Sequence, residues 1–82
     1  MPNTDITIDE ELDARGLNCP LPILRAKKSI QALSAGQVLQ ILATDPGSVR
    51  DFEVFSEQSG HKLVEFRQEG DTYIYVLEKK TG

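Results

Sequence analysis

The residues able to do covalent chemistry concentrate in one run, Gly16-Leu17-Asn18-Cys19-Pro20-Leu21-Pro22, which holds the only cysteine of 82 residues. A thiol reacts through its thiolate, and a free cysteine of pKa about 8.5 is only a few per cent ionised at pH 7. Proline pushes the residue before it out of helical geometry and is itself suited to the first helical position. The run therefore predicts a helix with Cys19 as N-cap and Pro20 as first residue. Pro22 at the third position is tolerated, because first-turn N–H groups have no intrahelical partner to lose. The two rings stiffen the turn and fix the direction in which the sulfur leaves it. Cysteine is a poor N-cap beside Ser, Asn or Asp. Breaking that local rule points to function, against the alternative of a small buried hydrophobe.

The dipole of an exposed helix end is worth less than the roughly 1.4 kcal/mol that a tenfold change in thiolate requires. Arg15, or Arg25 folded back one turn, would add to it, while apolar burial among Leu17, Leu21 and Leu24 would oppose it. The expectation is a mildly lowered thiol pKa. His61, the only histidine, is distant in sequence and reads as a surface residue entering a strand. No general base is visible beside the cysteine. Tyr73 and Tyr75 read as strand packing.

Six elements must position this turn. Glu11 to Arg15 is a short strand ended by Gly16. From Pro20 to about Ser34, Ile23, Ala26, Ile30 and Leu33 recur at spacings of three and four, which marks an amphipathic helix. Val38 to Ala43 is a mostly apolar, partly β-branched run consistent with a buried central strand. Asp45 before Pro46 fits an N-cap and first-turn pair for a second helix, with Ser48 and Asp51 as a rival capping start. Val49, Phe52 and Phe55 supply its apolar stripe and Gly60 its C-terminal cap. Lys62 to Gln68 and Thr72 to Leu77 form a hairpin through Glu69-Gly70-Asp71, with Val64 and Phe66 sharing one face of its first strand. The order βαβαββ predicts an α/β (α+β) two-layer sandwich, a four-stranded mixed sheet with both helices on one face. The chain reads as a single domain over residues 1–82, with an ordered core of about 10–80.

Composition narrows the function classes. One cysteine forbids an internal disulfide, and one cysteine with one histidine cannot close a four-ligand zinc site, so no metal is expected. The apolar runs are too short to span a membrane, and the acidic N-terminus lacks the features of a signal peptide, so a cytoplasmic protein is expected. The net charge of −4 is unevenly distributed: no acid lies between Asp13 and Asp45, where Arg15, Arg25, Lys27 and Lys28 fall. This positive segment contains the cysteine, and its functional reading is a docking surface for an acidic partner.

These residues resemble the TusA-like (SirA-like) sulfur-carrier family. Leu12-Asp13-Ala14-Arg15-Gly16-Leu17-Asn18-Cys19-Pro20-Leu21-Pro22 is similar to its Cys-Pro-x-Pro signature and lead-in, followed by Ile23-Leu24-Arg25-Ala26-Lys27-Lys28. Ala43-Thr44-Asp45-Pro46-Gly47-Ser48 is similar to its second landmark. The resemblance runs from about Leu12 to Lys80. It implies a βαβαββ fold and a cytoplasmic carrier whose cysteine, here Cys19, accepts persulfide sulfur from a cysteine desulfurase and relays it to an acceptor protein. In the family such relays serve tRNA 2-thiolation, molybdenum cofactor assembly or sulfur oxidation. Leu21 departs from the glutamate typical of the tRNA-pathway members. Pro20 and Pro22 are implied to support the motif, and Arg15, Arg25, Lys27, Lys28 and Asp45 to serve partner docking. No cofactor is expected beyond the transient Cys19 persulfide, nor stable nucleic-acid binding, and a monomer is expected. The competing classes are a nucleic-acid-binding domain, disfavoured by the pI of about 4.8 and the absence of a dense basic patch, and a regulatory interaction module with a dispensable cysteine.

Overall fold

The structure, a computed structural model, describes residues 7–81. Its elements run β1 (Glu10–Ala14), α1 (Leu21–Gln31), β2 (Val38–Ala43), α2 (Ser48–Ser59), β3 (Lys62–Glu69) and β4 (Thr72–Glu78). The four strands form one sheet in the order β1-β2-β4-β3. β1 pairs with β2 in parallel, and β4 lies antiparallel to both β2 and β3. The mixed sheet and the βαβαββ order are those expected from the apolar periodicities, and β2 is central as its mostly apolar run implies.

The core lies between the helices and one face of the sheet. Ala14, Leu39, Ile41, Ala43, Tyr75 and Leu77 meet Ile23, Ala26 and Ile30 of α1 and Phe52 of α2. Phe52 and Tyr75 stack with ring centroids 4.2 Å apart. β4 is buried on both faces, since Ile74 and Val76 on its other side are 4% and 2% exposed. On β3 the alternation breaks: Leu63 pairs with Leu77 but Phe66 with Tyr75, and a bulge lies between Leu63 and Glu65. One extra residue reverses the facing of everything after it, so Phe66 shares a face with Leu63 rather than with Val64. The hairpin closes through Gly70 and Asp71, and Gly70 takes the positive φ of 61° that a tight two-residue turn needs.

Both helix starts differ from expectation. α1 begins at Leu21 with Pro20 as N-cap at φ −100°, ψ 18°, and Pro22 sits in its first turn. The Leu21 N–H donates to Asn18 O at 2.8 Å, so residues 18–21 close a turn of their own, containing a cis Cys19–Pro20 bond, before the helix starts. Cys19 stands one residue outside the cap. α1 also ends three residues early, at Gln31. The carbonyls at and just past its end are met from outside, by Lys79 Nζ donating to Gln31 O at 3.1 Å and Leu33 O at 2.6 Å, a cation where the helix dipole favours one.

α2 begins at Ser48 with Gly47 as N-cap and no side-chain cap. Asp45 contributes its backbone carbonyl, which accepts from the Ser48 N–H at 3.0 Å. The rival pair is diverted as well: Ser48 Oγ bonds Tyr75 OH and Asp51 accepts from Cys19. Gly60 ends the helix at φ 85° as expected, whereas Val49 is exposed rather than part of the buried stripe. Among the described residues no helix is long and apolar enough to cross a membrane.

Candidate functional site

The thiol emerges where the first turns of the two helices meet. Cys19 is exposed, placed by the 18–21 turn, while the β2–α2 connection brings Asp45 and Gly47, and the first turn of α2 brings Asp51, against it from the other side. Between α1 and α2 runs an open groove of about 270 Å³. Cys19, Pro20, Ile23 and Lys27 line one wall, and Arg50, Asp51, Val54 and Phe55 line the other. Lys27 Nζ stands 5.8 Å from the centre of the Phe55 ring, a cation–π distance.

Two carboxylates stand beside the sulfur. Cys19 Sγ donates to Asp51 Oδ2 at 2.9 Å. Asp45 Oδ2 is buried without a hydrogen-bond partner among the described residues. Gly47 separates the thiol from Asp45: a methyl group there would lie 2.9 Å from Asp45 Oδ2 and 3.9 Å from Cys19 Sγ. Glycine at this position leaves room for the Asp45 carboxylate, which would have to shift to admit any side chain.

This arrangement overturns the expected thiol activation. The Cys19 pKa is raised, first by the hydrogen bond to Asp51, then by desolvation, then by the charges of Asp51 and Asp45. A carboxylate accepts from S–H but repels S⁻. Of the two cations expected to oppose this, Arg25 does not line the groove, and Arg15 is engaged elsewhere: its guanidinium forks onto Asp13 with both N···O distances at 2.9 Å. That fork holds the Asp13 carboxyl well down, at about 2. The positive segment does not set the charge around the sulfur, because Asp45 and Asp51 lie beyond it in sequence yet fold back onto it.

The other candidate residues divide by position. Pro20 and Lys27 line the groove, and Pro22 is buried in the first turn of α1. Arg25 and Lys28 are exposed on α1 and do not line the groove, and Arg15 points its charge at Asp13. His61 also lies away from the groove; its Nδ1 accepts from the Lys80 N–H at 3.0 Å. Burial and the charges of Lys80 and Lys79 keep it below the usual histidine range. Three site residues had no functional reading in the sequence: Asp51, Gly47 and Arg50. For Asp51 the signal was present but read as capping, and for Gly47 it lay in the Asp45-Pro46-Gly47 turn.

Comparison with known proteins gives this geometry its context. The family model described as Sulfurtransferase TusA matches residues 10–79. The sulfur carrier protein TusA of Allochromatium vinosum is 58% identical over 71 residues, covering 87% of this chain and 93% of that one. The sulfur carrier protein TusA of Pseudomonas entomophila is 44% identical over 77 residues, 94% of this chain and 96% of that one. A crystal structure of a SirA-like protein from Desulfitobacterium hafniense shares the fold, with TM-score 0.75 and 24% identity over 88% of this chain and 99% of its own. Since the family match takes in every strand and helix described, together with the Cys19 turn and the Asp45 loop, the chain belongs to the TusA family of sulfur carrier proteins.

Proposed function

We propose that this protein is a persulfide carrier in which Cys19 receives the outer sulfur of a cysteine desulfurase's persulfide and passes it to an acceptor protein. The Cys19 thiolate attacks the outer sulfur of the donor persulfide. The new S–S bond forms on Cys19 as the donor's S–S bond breaks, and the donor cysteine leaves as a thiolate. The proton lost by Cys19 is made up on the donor, so thiol plus persulfide gives persulfide plus thiol with no external oxidant or reductant. An acceptor thiolate then attacks the terminal sulfur of the Cys19 persulfide, and Cys19 is regenerated. The chemistry is thiol–disulfide exchange, with its rate set by thiolate fraction, nucleophilicity and access.

One observation carries this reading: the only cysteine of a TusA-family chain is exposed at the mouth of an open groove. The groove offers docking chemistry rather than a substrate cage. Ile23, Val54 and Phe55 supply apolar contact, Lys27 and Arg50 supply positive charge for an acidic partner surface, and Arg25 and Lys28 extend that charge along α1. The protein works in the cytoplasm as a monomer, with the Cys19 persulfide as its only prosthetic state. It feeds tRNA 2-thiolation, molybdenum cofactor assembly or a related sulfur pathway.

The test is complementation of a strain lacking the gene, with tRNA thiolation and molybdoenzyme activity as readouts. Wild type restores the affected activity and Cys19→Ser does not. Full restoration by Cys19→Ser would refute the relay.

A further inference from the structure

The hydrogen bond from Cys19 Sγ to Asp51 Oδ2 joins residues 32 apart in sequence. An ionised carboxylate has lone pairs and no proton, so this bond exists only while the sulfur carries its hydrogen. Ionising Cys19 in place would set two negative charges 2.9 Å apart, with the Asp45 carboxylate on the far side of Gly47. The charged groups around the sulfur are Asp51 and Arg50 from α2, Lys27 from α1 and Asp45 from the β2–α2 connection. Lys27 and Arg50 share the groove, but Asp51 is the group in hydrogen-bond contact with the sulfur, and the charges of Asp51 and Asp45 raise the thiol's pKa.

We propose that Asp51 is a positioning residue that holds the Cys19 sulfur in place as a thiol in the free carrier, so that the carrier stays quiescent until a docked partner separates the pair. This deepens the persulfide-carrier reading and rests on it for its purpose, while the chemistry of the pair is measurable without any partner. The latch is specific for the unloaded state. Once Sγ bears a second sulfur it has no hydrogen to give, the bond to Asp51 is lost, and an ionised terminal sulfur is repelled from the carboxylate toward the open side of the groove. Unloaded sulfur is held and loaded sulfur is released. An exposed cytoplasmic thiol kept in its protonated form is also shielded from adventitious disulfide exchange and oxidation, both of which proceed through the thiolate.

The test is the pH dependence of alkylation of the purified, reduced protein by iodoacetamide, followed by intact mass, together with thiolate absorbance at the same pH values. Asp51→Asn keeps shape and removes charge. It moves the thiolate midpoint to lower pH and raises the alkylation rate at pH 7 about threefold, the gain in thiolate being partly offset by the lower nucleophilicity of a less basic sulfur. Asp51→Glu retains the wild-type profile, and Glu53→Gln, on the same helix but outside the groove, leaves it unmoved. Asp51→Ser gives the same direction as Asp51→Asn and serves where the amide perturbs folding. Superimposable profiles for wild type, Asp51→Asn and Asp51→Ser would overturn the proposal, as would an equal shift from Glu53→Gln. Loading by a desulfurase separates this from the carrier reading. A shifted profile with no loading leaves Asp51 its role and removes the carrier, whereas loading with unshifted profiles does the reverse.

Discussion

The first turn of α2 makes two side-chain hydrogen bonds of similar length to different parts of the molecule. On the inner side Ser48 Oγ and Tyr75 OH meet at 2.7 Å in the core. On the outer side Asp51 accepts from Cys19 at 2.9 Å at the groove. The inner pair is neutral and enclosed, with Ser48 and Tyr75 each 1% exposed, so its worth is structural: either hydroxyl left alone would be a buried polar group without a partner. The outer pair involves an exposed thiol and a carboxylate, and water replaces either partner at little cost. What it governs is the protonation of a sulfur. One helical turn thus separates a bond that holds the fold from a bond that sets reactivity.

The largest expected effect falls on the inner side. Phe52 is fully buried and stacked on Tyr75, and Phe52→Ala is expected to cost about 3–5 kcal/mol in urea unfolding. Tyr75→Phe strands the Ser48 hydroxyl and costs about 1–3 kcal/mol, part of which the double variant with Ser48→Ala recovers. A recovery of zero would mean that the two hydroxyls are not coupled.

The same tyrosine predicts an alkaline limit. Burial pushes the Tyr75 pKa from 10.0 up to about 12. The native state therefore keeps a proton that the unfolded chain gives up, and stability falls as pH rises from the unfolded value through the folded one. Equilibrium unfolding between those limits shows this loss in wild type and not in Tyr75→Phe.

Smaller effects belong to the outer side. Gly47→Ala places a methyl group 2.9 Å from Asp45 Oδ2 and puts a poor N-cap residue at the helix start, for about 0.5–1 kcal/mol of thermal destabilisation. Asp51→Asn removes a first-turn carboxylate and changes unfolding free energy by less than about 1 kcal/mol, while shifting the reactivity of Cys19. A stability loss for Asp51→Asn as large as that for Tyr75→Phe would erase the distinction between the two sides.

Much of this was legible in the chain. The spacing of Ile23, Ala26 and Ile30, the apolar run of β2 and the Gly70 turn fix the elements and their order, because periodicity and turn chemistry are local. Cys19 was legible because a thiol between a tight turn and two prolines serves packing poorly. The β3 bulge was not, since one inserted residue is set by pairing with β4 and leaves no mark on composition. The thiol's electrostatics were misread for a related reason: the nearest charges in sequence, on Arg15 and Arg25, are not the charges that the fold brings to the sulfur. Asp51 has one local use, as a helix cap, and only the approach of the Cys19 turn to α2 makes it a thiol partner.

The most direct measurement of the central claim is intact-mass analysis of the purified protein after incubation with a cysteine desulfurase and cysteine. The account predicts a single added sulfur atom that thiol reductant removes and Cys19→Ser abolishes. A reduced, accessible Cys19 that several desulfurases leave unmodified would contradict it.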